Sequence, residues 1–176
     1  MDRLLINMYD KKSIEHLTNH LRLLLKKNQK ISVLCIGTDK IIPDSLGPMI
    51  GTILSEDLTR DDIKIIGTLE SPLHALNMKK RIRIELDNDE LVIAIDANKG
   101  NRVGEIQVLD QPISPGKGLF KNLPQVGHIS IVGTTLERGE LKNIYDHKIR
   151  LGDIYRMAKT ISSSLSLAIN DLKINE

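Results

Sequence analysis

"ISVLCIGTDKIIPDSLGPMIG", Ile31 to Gly51, decides the fold. The apolar run Ile31–Ile36 reads as a buried β-strand, and Gly37 closes it. A short loop with Asp39 and Asp44 follows. A helix is then expected from Ser45 to Asp57, with Leu46, Ile50, Ile53 and Leu54 turned inward. Asp44 therefore stands just beyond a buried strand, pinned between Pro43 and Leu46-Gly47-Pro48. It has two readings at this point. It is either an N-terminal cap of the helix or an acid aimed into a crevice at the strand's end.

The same pattern repeats outward. Apolar stretches predict further strands at Ile63–Thr68, Leu91–Asp96 and Ile129–Val132, all central in one sheet. Gly104–Asp110 alternates and is expected to pair antiparallel or at an edge. Helices are expected from Ser13 to Lys27, from near Pro72 through Ile82, near Glu140–His147, and from Leu151 to Leu172. Strands without polar alternation need helices on both faces, so the fold class is α/β. It is a three-layer α/β/α sandwich with a mainly parallel sheet, formed by residues 1–176 as a single α/β domain.

Composition narrows the function. The 176 residues are 40% apolar, but the aromatics are one phenylalanine and three tyrosines, so the core is aliphatic. Net charge is +2 and evenly spread, which gives no polybasic tail; nucleic acid and membrane are not expected partners. Lys79–Arg83 reads as a solvated helix face. No run reaches the roughly 20 apolar residues that span a bilayer, and the N-terminus lacks a signal-peptide pattern. The single cysteine, Cys35, reads as a buried thiol in a reducing, cytoplasmic compartment.

In such sheets ligands bind beyond the carboxyl ends of the strands. Those exits carry Gly37, Thr38, Asp39 and Asp44, then Glu70 with His74 just inside the next helix, then Asp96. The loop after Asp110 adds Pro115, Gly116 and Gly118 in a tight, anion-tolerant turn. Asp44 and Asp96 are candidates to meet in one crevice, where two close carboxylates separate their pKa values and divide acid from base work. In the plainer reading, Asp96 ends its strand and hydrogen-bonds its own turn. His16, His20 and His147 read as surface residues. The chain has no G-x-G-x-x-G, P-loop, H-E-x-x-H or G-x-S-x-G pattern and no Cys-His ligand set.

Three segments carry a resemblance. "IPDSLGP" resembles the Pro-Asp-x-Leu-Gly-Pro segment of the bacterial germination protease, which degrades small acid-soluble spore proteins. "VIAIDA" (Val92–Ala97) is similar to that enzyme's second acidic motif, and "ISPGKG" to its later Pro-Gly-x-Gly loop. The chain most resembles the shorter sporulation-protein group related to that protease, with "GTLESPLHALN" and "PGKGLFKNLPQVG" in common; the likeness runs from about Ile31 to Gly133. It implies a hydrogenase-maturation-protease type of fold, with Asp44 and Asp96 at the positions of the two active-site aspartates.

The implied activity is sporulation- or germination-associated peptide hydrolysis in the cytoplasm of the forespore or spore core. The expected partner is a protein or peptide substrate such as small acid-soluble spore proteins, and no cofactor is expected. Backbone amides near Gly37 or Gly116 are the expected oxyanion donors. The protease's prosegment has no visible counterpart here. Two alternatives stand beside this reading. One is a metal-gated processing endopeptidase of the hydrogenase-maturation type using Asp44, Asp96 and a histidine, His74 or His128. The other is a non-catalytic sporulation or germination factor that uses the fold as a binding module.

Overall fold

The computed structural model describes residues 3–27, 29–115, 124–139 and 148–172. The strands are β1 (Arg3–Asn7), β2 (Ile31–Cys35), β3 (Ile63–Ile66), β4 (Leu91–Gly100), β5 (Glu105–Leu109) and β6 (Ile129–Glu137). The helices are α1 (Ser13–Leu24), α2 (Leu46–Asp57), α3 (Met78–Glu85) and α4 (Leu151–Asp171), with a 3-10 turn at Ile42–Asp44. The strands form one sheet in the order β1-β5-β6-β4-β2-β3. Strands β3, β2, β4 and β6 run parallel, while β5 is antiparallel to both β6 and β1. The expected α/β/α sandwich is the observed fold.

Strand periodicity splits the core in two. Odd-numbered positions of β2 and β4 (Ile31, Val33, Cys35, Leu91, Ile93, Ile95) join the large cluster beneath α1, α2 and α4. Even-numbered positions (Leu34, Val92, Ala94) join a smaller one with Ile66, Leu73, Met78 and Val126. Continuous apolar runs are thus the mark of strands buried on both faces. Cys35 is fully buried, and burial pushes its thiol pKa up, away from nucleophile chemistry. No helix among the described residues is long and apolar enough to cross a membrane.

Several boundaries differ from the sequence reading. Ile63–Ile66 is an edge strand rather than a central one; β5 is antiparallel as expected, and interior because β1 covers it. The helix expected near Pro72 begins only at Met78. Leu73 instead continues the sheet by bridging to Ile36 beyond the end of β3. His20 is half-buried, with its Nε2 enclosed and without a hydrogen-bond partner among the described residues. The helix expected at 140–147, and His147 with it, lies outside the described residues.

Helix α2 lies directly on the ends of β2 and β3. A Cβ at Gly47 would stand 2.1 Å from the Ile36 carbonyl oxygen, and one at Gly51 would stand 1.9 Å from that of Gly67. Only hydrogen atoms fit there. Gly51→Ala is therefore expected to lift α2 and lower stability by about 2–3 kcal/mol, the upper range of overpacking. A urea midpoint equal to wild type would show that α2 does not rest on this contact.

Candidate functional site

The strand order creates an opening. β2 feeds α2 and then β3 on one side, while β4 lies on the other side of β2. The carboxyl ends of β2 and β4 are thus a topological switch point, where α/β sheets bind ligands. Pairing of β2 with β4 stops at Cys35 and Ile95, with a last bond from the Ile36 amide to the Ile95 carbonyl at 2.8 Å. β2 then turns away at Gly37, whose φ of 145° and Cβ position 2.1 Å from the Asp44 carbonyl oxygen both require glycine. Among the described residues, β4 continues to Gly100 paired with β6 alone.

Asp44 ends the 3-10 turn that follows this departure. Its amide donates to the Ile41 carbonyl at 2.9 Å, and its carbonyl accepts from the Thr38 amide at 3.0 Å. The cap reading fails. The cap position of α2 is Ser45, no side chain among the described residues caps the helix, and Ser45 Oγ donates instead to the Ile42 carbonyl at 2.7 Å. Pro43 is buried, Pro48 occupies the first helical turn where a missing N–H costs nothing, and Gly47 brings that turn onto β2. Together they fix the Asp44 backbone at the exit of β2, near enough for its charge to act on Asp96.

Asp96 lies inside β4, next to Val132 of β6. Alternation places its side chain above Ala94, on the face of the smaller cluster. The plainer sequence reading holds only in part: Asp96 does not end its strand, which runs on to Gly100, but its Oδ1 does accept locally, from the Ala97 amide at 2.9 Å.

The two half-buried carboxyls are electrostatically joined. Asp44 is raised to about 6, chiefly because burial disfavours its charge, with the Thr38 backbone amide pulling it down. Asp96 is raised to about 8, first by burial and then by the charge of Asp44, against the Ala97 amide. The effect runs one way because Asp44 ionises first, while Asp96 is still neutral. Near pH 7 the pair therefore holds one proton, on Asp96, beside an ionised Asp44.

The other predicted residues divide. Gly37 and Thr38 frame the crevice, but their amides are engaged. Gly37 N–H donates to the Leu73 carbonyl at 2.9 Å, and Thr38 N–H to Asp44. The expectation that the Gly37 region supplies free oxyanion donors is thus corrected at both amides. Asp39 and Glu70 are exposed on the two neighbouring loops. His74 precedes α3 rather than sitting inside it; its Nδ1 accepts from the Leu76 amide at 3.3 Å. It follows Leu73, across β2 from β4, so its backbone lies about two strand spacings, ~10 Å, from Asp96.

His128 lies at the opposite end of the sheet. Its amide and Nδ1 both bond the Val92 backbone, at 2.7 and 2.9 Å, four residues before the level of Asp96. It cannot complete a metal site with the two aspartates. Because β5 is antiparallel, its exit also lies at that opposite end, where Ser130 Oγ donates to the Gln111 carbonyl. From there Ile113 pairs with Val126 against the smaller cluster, and Pro115 is buried. Gly116 and Gly118 lie outside the described residues. The Ala97 backbone, which no sequence signal marked, is the one addition to the site.

Comparison with known proteins gives a family. A model described as "Protein of unknown function (DUF1256)" matches residues 5–164, and the chain belongs to that family. It is 40% identical over 142 residues to "Uncharacterized protein YyaC" of Bacillus subtilis (strain 168), covering 78% of this chain and 68% of that relative.

Proposed function

We propose that this DUF1256 protein is a peptide-bond hydrolase whose catalytic pair is Asp44 and Asp96. The observation that carries the reading is the convergence of two part-buried carboxyls from separate strand exits at the switch point of the sheet, each with its pKa raised by burial. Ionised Asp44 takes a proton from water as the water oxygen attacks the scissile carbonyl. Protonated Asp96 donates to the carbonyl oxygen as negative charge develops there. The tetrahedral intermediate then collapses: Asp44 passes its proton to the nitrogen, the C–N bond breaks and the amine leaves. Ionised Asp96 takes a proton back from the hydroxyl that becomes the new carbonyl, which restores the starting pair. Because the Gly37 and Thr38 amides are engaged, oxyanion stabilisation falls to Asp96.

The test is incubation of the purified chain with an unfolded polypeptide and mass spectrometry of the new termini. Small acid-soluble spore proteins, implied by the sequence resemblance, are the first substrate to try. Cleavage by wild type that disappears in Asp44→Asn and in Asp96→Asn is the expected result. Undiminished cleavage by both variants would remove the pair from the chemistry.

The same engaged amides favour one second reading, a binding module that keeps the crevice with no free oxyanion donor at Gly37 or Thr38. Binding of the polypeptide by wild type without any new termini would select it.

A further inference from the structure

Beyond Ile95, β4 has one bonded side. The Leu91 amide bonds the Lys30 carbonyl and the Ile95 carbonyl receives the Ile36 amide, so odd-numbered residues of β4 direct their backbone groups toward β2. Even-numbered residues therefore serve β6, and that ladder continues past Asp96. Ala97 is the next odd-numbered residue. Its N–H and C=O point to the side that β2 has vacated, and among the described residues no strand pairs with β4 there. The Ala97 amide is occupied by the side chain of Asp96 itself. A register shift between Asn98 and Lys99 ends the regular edge, which leaves a short notch with the Ile42–Asp44 turn packed near it.

We infer that this notch binds an extended polypeptide by main-chain pairing with Ala97, so that the substrate class is unfolded or extended protein segments read through their backbone. The proposal rests on the peptidase reading for the consequence of docking, though not for the docking itself. An incoming carbonyl accepts from the Ala97 N–H and displaces Asp96 Oδ1, while an incoming N–H donates to the Ala97 carbonyl. The bound backbone then lies beside both carboxyls, and Asp96 is released from its internal bond when a peptide is present to receive its proton. Main-chain pairing supplies affinity with little demand on side chains. It also rejects folded proteins, whose strand backbones are already paired. Ala97 is thus a positioning residue, acting through its backbone.

The test measures binding apart from cleavage. In an Asp44→Asn background, fluorescein-labelled reduced and carboxymethylated polypeptide is titrated by fluorescence anisotropy, with and without Ala97→Pro. Proline removes the amide and blocks the edge, yet spares the β6 ladder, which uses the even-numbered residues. Binding at least tenfold weaker, with unchanged circular dichroism, is expected. Equal binding by the folded proline variant overturns the proposal, and so does absence of binding without it.

Should the proline variant fail to fold, a short competing peptide and its singly N-methylated versions decide the matter on the unsubstituted protein. Affinity lost on methylation at one or two main-chain nitrogens supports backbone pairing, and affinity indifferent to every methylation overturns it. Binding without wild-type cleavage would leave the docking site standing and remove the peptidase reading. Cleavage that Ala97→Pro leaves intact would do the reverse.

Discussion

Asp96→Asn is expected to make the protein more stable, and the gain should grow with pH. An aspartate in the unfolded chain titrates near ~3.9, whereas Asp96 in the folded protein titrates at about 8. Between those values the native state binds more protons than the unfolded state. Wild-type stability is therefore fully present below the lower value and falls as pH rises through the folded one.

The limiting slope is about 1.4 kcal/mol for each pH unit. Solvent reaches the half-buried carboxyl, so the realised total is smaller, about 3 kcal/mol by pH 9. Asparagine stays neutral, still accepts from the Ala97 amide through its oxygen, and removes the fall. Asp44→Asn acts over a narrower window, from ~3.9 to about 6. It should also bring the Asp96 titration below 8 by deleting the neighbouring charge. Urea midpoints from pH 4 to 9 check both statements. Parallel curves for wild type and Asp96→Asn would mean that the carboxyl is neither desolvated nor coupled.

Those effects arise from a juxtaposition only half visible in the sequence. Ile31–Cys35 and Leu91–Ile95 announce themselves because strands enclosed on both faces carry uninterrupted apolar residues. β1 gives no such signal. Arg3–Asn7 is a short edge strand with one buried side chain, Ile6, and its partner β5 lies about a hundred residues away. The segment after β3 misleads for a different reason. Pro72 is a good first-turn residue, yet the Leu73 bridge to Ile36 and the bond from the Gly37 amide hold the chain extended there. Tertiary pairing overrides the local start signal, and α3 waits for Met78.

For the site, the two aspartates were legible because each follows an apolar run. Their coupling was an expectation that only the strand order could decide, because it depends on β4 rather than β3 flanking β2 toward the sheet centre. The continuation of β4 through Asn98 and Lys99 was hidden. Those residues are polar and exposed, and they are strand only because Thr134–Glu137 of β6 run on beside them. That unequal length of β2 and β6 is what opens the crevice and bares the Ala97 backbone. The chemistry of the site thus lies in side chains that sequence can name, and access to it lies in a strand edge that sequence does not reveal.

The proposed hydrolysis then carries a specific pH signature. Activity requires Asp44 ionised and Asp96 protonated, a state that dominates between their titrations at about 6 and about 8. A bell-shaped profile of kcat/KM centred near pH 7 is expected, its two limbs belonging to the pair as a unit. Asp44→Asn removes the base and Asp96→Asn removes the acid, each with an expected loss of about 10³-fold or more. Two groups that pass one proton are not independent, so the double Asn variant should be scarcely worse than either single one. Steady-state rates on a quenched-fluorescence peptide from pH 5 to 9, for wild type and the three variants, provide the measurement. Multiplicative losses in the double variant would mean that the carboxyls act separately. A flat wild-type profile would mean that no shared proton limits the reaction.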